Sequence, residues 1–191
     1  MPSELIYDVF AVKGVAPKWK KQIDSANRIL KANQPAIAVT AKLGKIQWFF
    51  ESDGVGDQKT IDKGAQAPGT AGANNYRYSQ DQKDLLNHKL LGDKKIGVQP
   101  GHIATVWVEG MTGGVIGTAV NKAIWDDSYT GRNGLIMTNA ADVDDSCLLH
   151  ETGHLAGLHH DPGATNVMHA NNVNMTVLTA AQKQTYKDAV F

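Results

Sequence analysis

One stretch limits what this chain can become more than any other: His150-Glu151-Thr152-Gly153-His154-Leu155-Ala156-Gly157-Leu158-His159-His160-Asp161. On an α-helix, residues four apart share a face, so the imidazoles of His150 and His154 can converge on one ion. Glu151 directly follows the first of them and can reach a metal-bound water without being a ligand. Gly157 stands three residues after His154, and His160 three after Gly157. A glycine there lets the chain leave the helix through positive φ and turn back, delivering a third imidazole. Three protein ligands leave a fourth position to water, the arrangement of a catalytic zinc rather than a structural one.

The competing reading is a helix whose histidines are merely solvated. Shuffling this composition would produce His-Glu-x-x-His-x-x-Gly-x-x-His on the order of two times in a hundred thousand. Five of the 7 histidines also fall between positions 150 and 169, which sets the solvated reading aside.

That run, followed shortly by Met168 in Asn166-Val167-Met168-His169, resembles the signature of the metzincin zinc endopeptidases. The motif matches span roughly 20 residues, and elsewhere the likeness lies in element order rather than identity. The resemblance implies His150, His154 and His160 as zinc ligands, Glu151 as catalytic base and Met168 as a floor beneath the imidazoles. It also selects His160 over its neighbour His159. Asp161 looks most like the adamalysin branch, where this residue ties back to the Met-turn segment. That branch is usually rich in disulfides, whereas Cys147 is the single cysteine here, so the subfamily stays open. Ala170 occupies the position where some branches place a tyrosine near the metal.

The expected fold is α+β and metzincin-like: a twisted, mostly parallel sheet of about five strands packed on two helices. A small C-terminal subdomain would carry the Met turn and a last helix. Residues 1–191 would form a single zinc-peptidase catalytic domain, with an upper lobe over about 1–156 and a lower lobe over about 157–191. The cleft between them would hold an extended polypeptide.

At 191 residues the chain is long enough to bury one proper core. Nineteen basic residues balance nineteen acidic ones, which suggests neither a nucleic-acid surface nor an anionic-membrane surface. No apolar run approaches the length of a membrane span. A monomer acting on peptides is the expectation. Cys147 cannot form an internal disulfide. It shares a helical face with His150 and His154, but a fourth protein ligand would close the site, so it reads as core. Met1-Pro2-Ser3-Glu4 lacks the basic start and apolar middle of a secretory signal. The family resemblance implies a secreted protein read after removal of its leader, and no Cys-bearing pro-segment is seen.

In chain order, residues 4–12 read as a strand, and Pro17 opens a helix to about Asn33 with Trp19 packed in the core. Residues 36–50 give a second strand or a hairpin around Leu43-Gly44-Lys45. Residues 51–79 read as a long polar excursion. Asp53 and Asp57 lack the spacing of an EF-hand loop, so Ca2+ has no support. Ser79 to Leu91 reads as a short helix stopped by Gly92, with His88 exposed, and 103–108 as a buried strand. His102 has no metal partner in sequence.

A glycine-bearing strand then runs over 113–120. By resemblance its residues Gly114, Val115, Ile116 and Gly117 form the edge that binds substrate by β-augmentation; an ordinary edge strand is the equal alternative. Trp125 and Tyr129 either flank the cleft or cap the core. Residues 135–138 form a final strand. One of Asp142, Asp144 and Asp145 is the expected N-cap of the metal helix. Thr179 and Gln182 form a capping box opening a last helix to about Phe191.

The function implied is zinc-dependent endopeptidase, with Glu151 as general base. Two alternatives stand beside it: a catalytically silent zinc-binding interaction module, and a narrow-specificity, toxin-like peptidase. The presence of Glu151 and the lack of a blocking cysteine count against the silent module.

Overall fold

The structure is a computed structural model that describes residues 3–34, 39–49, 59–66, 76–121, 129–140, 145–170, 175–189 and 191. In order these form β1 (Ser3–Ala11), α1 (Trp19–Ala32), β2 (Val39–Trp48), β3 (Thr60–Ile61), β4 (Ala65–Gln66), β5 (Tyr76–Arg77) and α2 (Gln80–Asn87). Then follow β6 (Ile103–Val108), β7 (Gly110–Met111), β8 (Gly117–Val120), β9 (Gly134–Thr138), α3 (Cys147–Leu155) and α4 (Ala180–Asp188). Among the described residues no helix is long and apolar enough to cross a membrane.

Five strands make the main sheet in the order β2-β1-β6-β9-β8. The first four run parallel, and β8 closes one edge antiparallel to β9. All six residues of β6 are buried, as a strand covered on both faces must be. Side chains of β1 alternate between those faces. Tyr7 points to α3, where its hydroxyl meets Thr152 Oγ1 at 3.0 Å. Phe10 points the other way, against Phe49, whose ring meets His88 edge-on at the end of α2. The mixed α/β architecture with a mostly parallel five-stranded sheet is therefore as expected, with helices on both faces.

Several local expectations change. Residues 39–48 form one continuous strand rather than a hairpin, because Gly44 is the extra residue of a bulge opposite Tyr7 and Asp8. A Cβ at Gly44 would strike Asp8 Oδ1 and come 3.0 Å from His102 Nδ1. The fully buried Asp8 carboxylate accepts from Gln99 N–H at 2.9 Å and pairs with His102 Nδ1 at 3.0 Å. His102 thus locks the approach to β6 onto β1. His88 is half-buried rather than exposed: α2 ends at Asn87, and His88 Nδ1 accepts from Leu90 N–H to start a short 3-10 turn. Ser79 and Gln82 form the capping box of α2.

The expected strand over 113–120 is shorter. Thr112–Gly114 is a 3-10 turn with Gly113 and Gly114 both at φ +72, and only Gly117–Val120 is paired. Tyr129 is core, donating to Arg132 O at 2.7 Å and stacking edge-on against Tyr78. Asp53, Asp57, Trp125, Asp142 and Asp144 lie outside the described residues. Asp145 does not cap α3: it pairs with Arg28 at 2.7 Å, and Ser146 occupies the N-cap position. The last helix stops at Asp188 rather than Phe191.

Candidate metal centre

All nine residues of α3 are buried, so its polar side chains need partners inside the protein. His150 Nδ1 lies 2.6 Å from Val167 O, and His154 Nδ1 lies 2.7 Å from Leu158 O. A carbonyl only accepts, so each Nδ1 carries the proton and each Nε2 presents a lone pair. Burial, with a further contribution from the His150 charge, pushes His154 down to about 3, keeping it neutral at ordinary pH. His160 is also lowered, first by burial.

Leu158 is placed to accept from His154 by the way the helix ends. Gly157 sits at φ 100, Gly157 N–H donates to His154 O at 3.0 Å, and Leu158 N–H donates to Gly153 O at 2.8 Å. That pair of bonds is a Schellman stop, which needs the left-handed residue a glycine supplies. The chain then turns back as far as His160. His154 Nε2 lies 3.0 Å from His150 Nε2 and 3.1 Å from His160 Nε2. His150, His154 and His160 are the cluster of metal-ligating groups present among the described residues; neither Cys147 nor Glu151 belongs to it.

These residues fit a zinc ion. With Nδ1 of His150 and His154 tied to carbonyls, their Nε2 lone pairs face one another at close to van der Waals contact, an arrangement that a cation between them stabilises. Zinc–imidazole bonds of about 2.0–2.1 Å place tetrahedral nitrogens roughly 3.3 Å apart, close to the spacing found.

Beneath α3 runs the turn that carries Met168. Met168 is fully buried, and Asp161 N–H donates to its carbonyl at 2.8 Å. Gly153, between His150 and His154, makes the approach possible: a Cβ there would collide with Met168 Sδ and lie 2.6 Å from the Tyr186 hydroxyl. Tyr186 Oη donates to Leu149 O at 2.6 Å and sits 3.7 Å from Met168 Sδ. On the opposite side Thr152 donates to Leu148 O at 2.7 Å and meets Tyr7. Two of the three residues between His150 and His154, Thr152 and Gly153, thus meet two tyrosines, one from the sheet and one from α4. Sequence reading missed both roles, because the spacing of a helix says nothing about which distant hydroxyl it meets.

Gly117 opens β8 against α3, with the site of its missing Cβ 2.8 Å from Cys147 Sγ and 3.0 Å from Glu151 Cγ. Cys147 is thus a buried core residue, as expected. The same approach brings the edge strand against the carbon chain of Glu151, which is 8% exposed. Val115 and Ile116 lead into that strand, with Ile116 O accepting from Thr138 N–H at 3.0 Å, while Gly114 belongs to the preceding turn. His159 is exposed and His169 half-buried.

Fold and site together define a mixed α/β protein with a three-histidine cluster able to hold a metal, on one helix and the loop after it. The solved structure of metalloproteinase-II from Bacteroides fragilis has a similar fold, with a TM-score of 0.59 and 17% identity over 95% of this chain and 51% of that one. The chain therefore spans about half the length of that protein. Archaemetzincin from Methanopyrus kandleri aligns less closely, with a TM-score of 0.45 and 16% identity over 95% of this chain and 86% of that one. No family model and no curated protein matches the chain.

Proposed function

We propose that this chain is a zinc-dependent endopeptidase of the metzincin type, with His150, His154 and His160 as ligands. The observation that carries the reading is the convergence of three imidazole Nε2 atoms, two with their far nitrogens tied to carbonyls, beside a buried glutamate. The fold shared with metalloproteinase-II supports it. Zinc bound there would supply Lewis acidity, polarising the scissile carbonyl and acidifying the attacking water.

Glu151 takes the proton as the water oxygen bonds to the carbonyl carbon. It then gives that proton to the amide nitrogen as the carbon–nitrogen bond breaks. A peptide would lie extended along the outer edge of β8, over Val115, Ile116 and Gly117, with the Gly114 turn at its mouth. The cleft would fall between residues 1–156 and 157–191, and a secreted location accords with this activity.

Zinc analysis and a peptide-cleavage assay on Glu151→Gln test the proposal. The variant should keep its metal and lose cleavage; normal cleavage by a zinc-loaded Glu151→Gln protein overturns the role of Glu151. Cleavage sites read by mass spectrometry from a broad peptide mixture separate a degradative enzyme from a narrow one.

A further inference from the structure

Resting on the zinc reading above, we infer that Gln182, in the first turn of α4, is a positioning residue for the third ligand. Its carboxamide closes a circuit of four hydrogen bonds around the Met turn. Gln182 Nε2 donates to Asp161 Oδ2 at 3.3 Å, next to His160. Asp161 N–H donates to Met168 O at 2.8 Å, and Met168 N–H donates to Asn166 Oδ1 at 2.8 Å. Asn166 Nδ2 returns to Gln182 Oε1 at 3.0 Å. Gln182 and Asn166 are 6% and 3% exposed, which shields their amide groups from water, while Asp161 is half-buried. The amide orientation is forced by chemistry. Oε1 also accepts from Thr179 N–H at 2.9 Å, and a carboxylate such as Asp161 can only be met by the NH2 end.

The capping box explains only half of this side chain. A box needs an acceptor at the third helical position, and glutamate serves as well as glutamine. Asp161 needs a donor, which glutamate lacks. Its other oxygen, Oδ1, already accepts from Gly163 N–H at 2.8 Å and shapes the loop between His160 and the Met turn. Glutamine is the side chain that caps α4 and holds this loop at once, so the direction of His160 is set from the last helix.

Gln182→Glu separates the two roles, because it keeps the cap and Asn166 but turns a carboxylate oxygen towards Asp161. Zinc affinity is measured by competition with a chromophoric chelator for the wild type, Gln182→Glu, Asp161→Asn and the double variant. Hydrogen exchange over residues 160–168 is followed in the metal-free proteins. Gln182→Glu should bind zinc about 10–100-fold more weakly, as lost outer-shell partners do, and should exchange faster in that loop. The double variant restores a donor and an acceptor, since Asn at 161 can keep its oxygen on Gly163 and offer its NH2 to the glutamate. It should recover to within about threefold of the wild type. Wild-type affinity and exchange in Gln182→Glu, or no recovery in the double variant, overturns the assignment and leaves the peptidase reading standing. A wild-type protein that takes up no zinc overturns both.

Discussion

Replacing Gly153 by alanine sets two effects of known sign against each other. Alanine is the better helix former, by about 0.8–1.0 kcal/mol in a helix interior. Its methyl group, however, would collide with Met168 Sδ and stand 2.6 Å from the Tyr186 hydroxyl. Neither neighbour has room to withdraw. Met168 and Tyr186 are both fully buried, and the hydroxyl is anchored on Leu149 O at 2.6 Å. Overpacking of this kind costs about 1–3 kcal/mol, and the pinned neighbours place it in the upper part of that range. The net expectation is a loss of about 1–2 kcal/mol. For a chain of this size that corresponds to a melting temperature lower by roughly 2–8 °C. Denaturant and thermal unfolding of the metal-free protein measure it without interference from ligand binding. In a Tyr186→Phe background one of the colliding atoms is gone, so the same substitution should cost less. A Gly153→Ala protein as stable as the wild type, or more stable, would show that Met168 does not pack on α3 as described.

The remaining expectations concern the third ligand and alkaline pH. His160→Ala should weaken zinc binding far more than His159→Ala, because His160 Nε2 lies 3.1 Å from His154 Nε2 and His160 joins the histidine cluster of the described residues; equal losses in a chelator competition would sink the choice. Burial raises Tyr129 from 10.0 to about 12 and raises Tyr7 and Tyr186 in the same direction. The folded state therefore holds these protons more tightly than the unfolded chain. Their contribution to stability is complete below about pH 10 and is lost as pH rises towards the folded values. Phenolate absorbance followed together with circular dichroism should show part of the tyrosine signal appearing only with unfolding. All tyrosines ionising near their ordinary value with the fold intact would contradict their burial.

Much of this architecture could be read before any coordinates because it obeys local periodicity. The spacing of His150 and His154 on one helix face, the left-handed exit at Gly157 and the Thr179–Gln182 capping box each depend on a few consecutive residues. The strands of the central sheet likewise announce themselves as β-branched runs. Even here local signals misplaced boundaries: Gly113 and Gly114 favour a turn, so the edge strand begins only at Gly117.

Contacts made across long sequence separations carried no such signature. Asp8 reads as a polar interruption of a strand until His102 and the backbone of Gln99 enclose it. Gly153 looks like an unremarkable filler between ligands until Met168 and Tyr186 arrive beneath it. Gln182 reads as a helix cap until Asp161 and Asn166 are brought to its two ends. A helix can place two imidazoles by its own pitch, since its hydrogen bonds are local. Orienting the third, and fixing the tautomers of the first two, requires carbonyls and amides from segments that only the folded chain brings together.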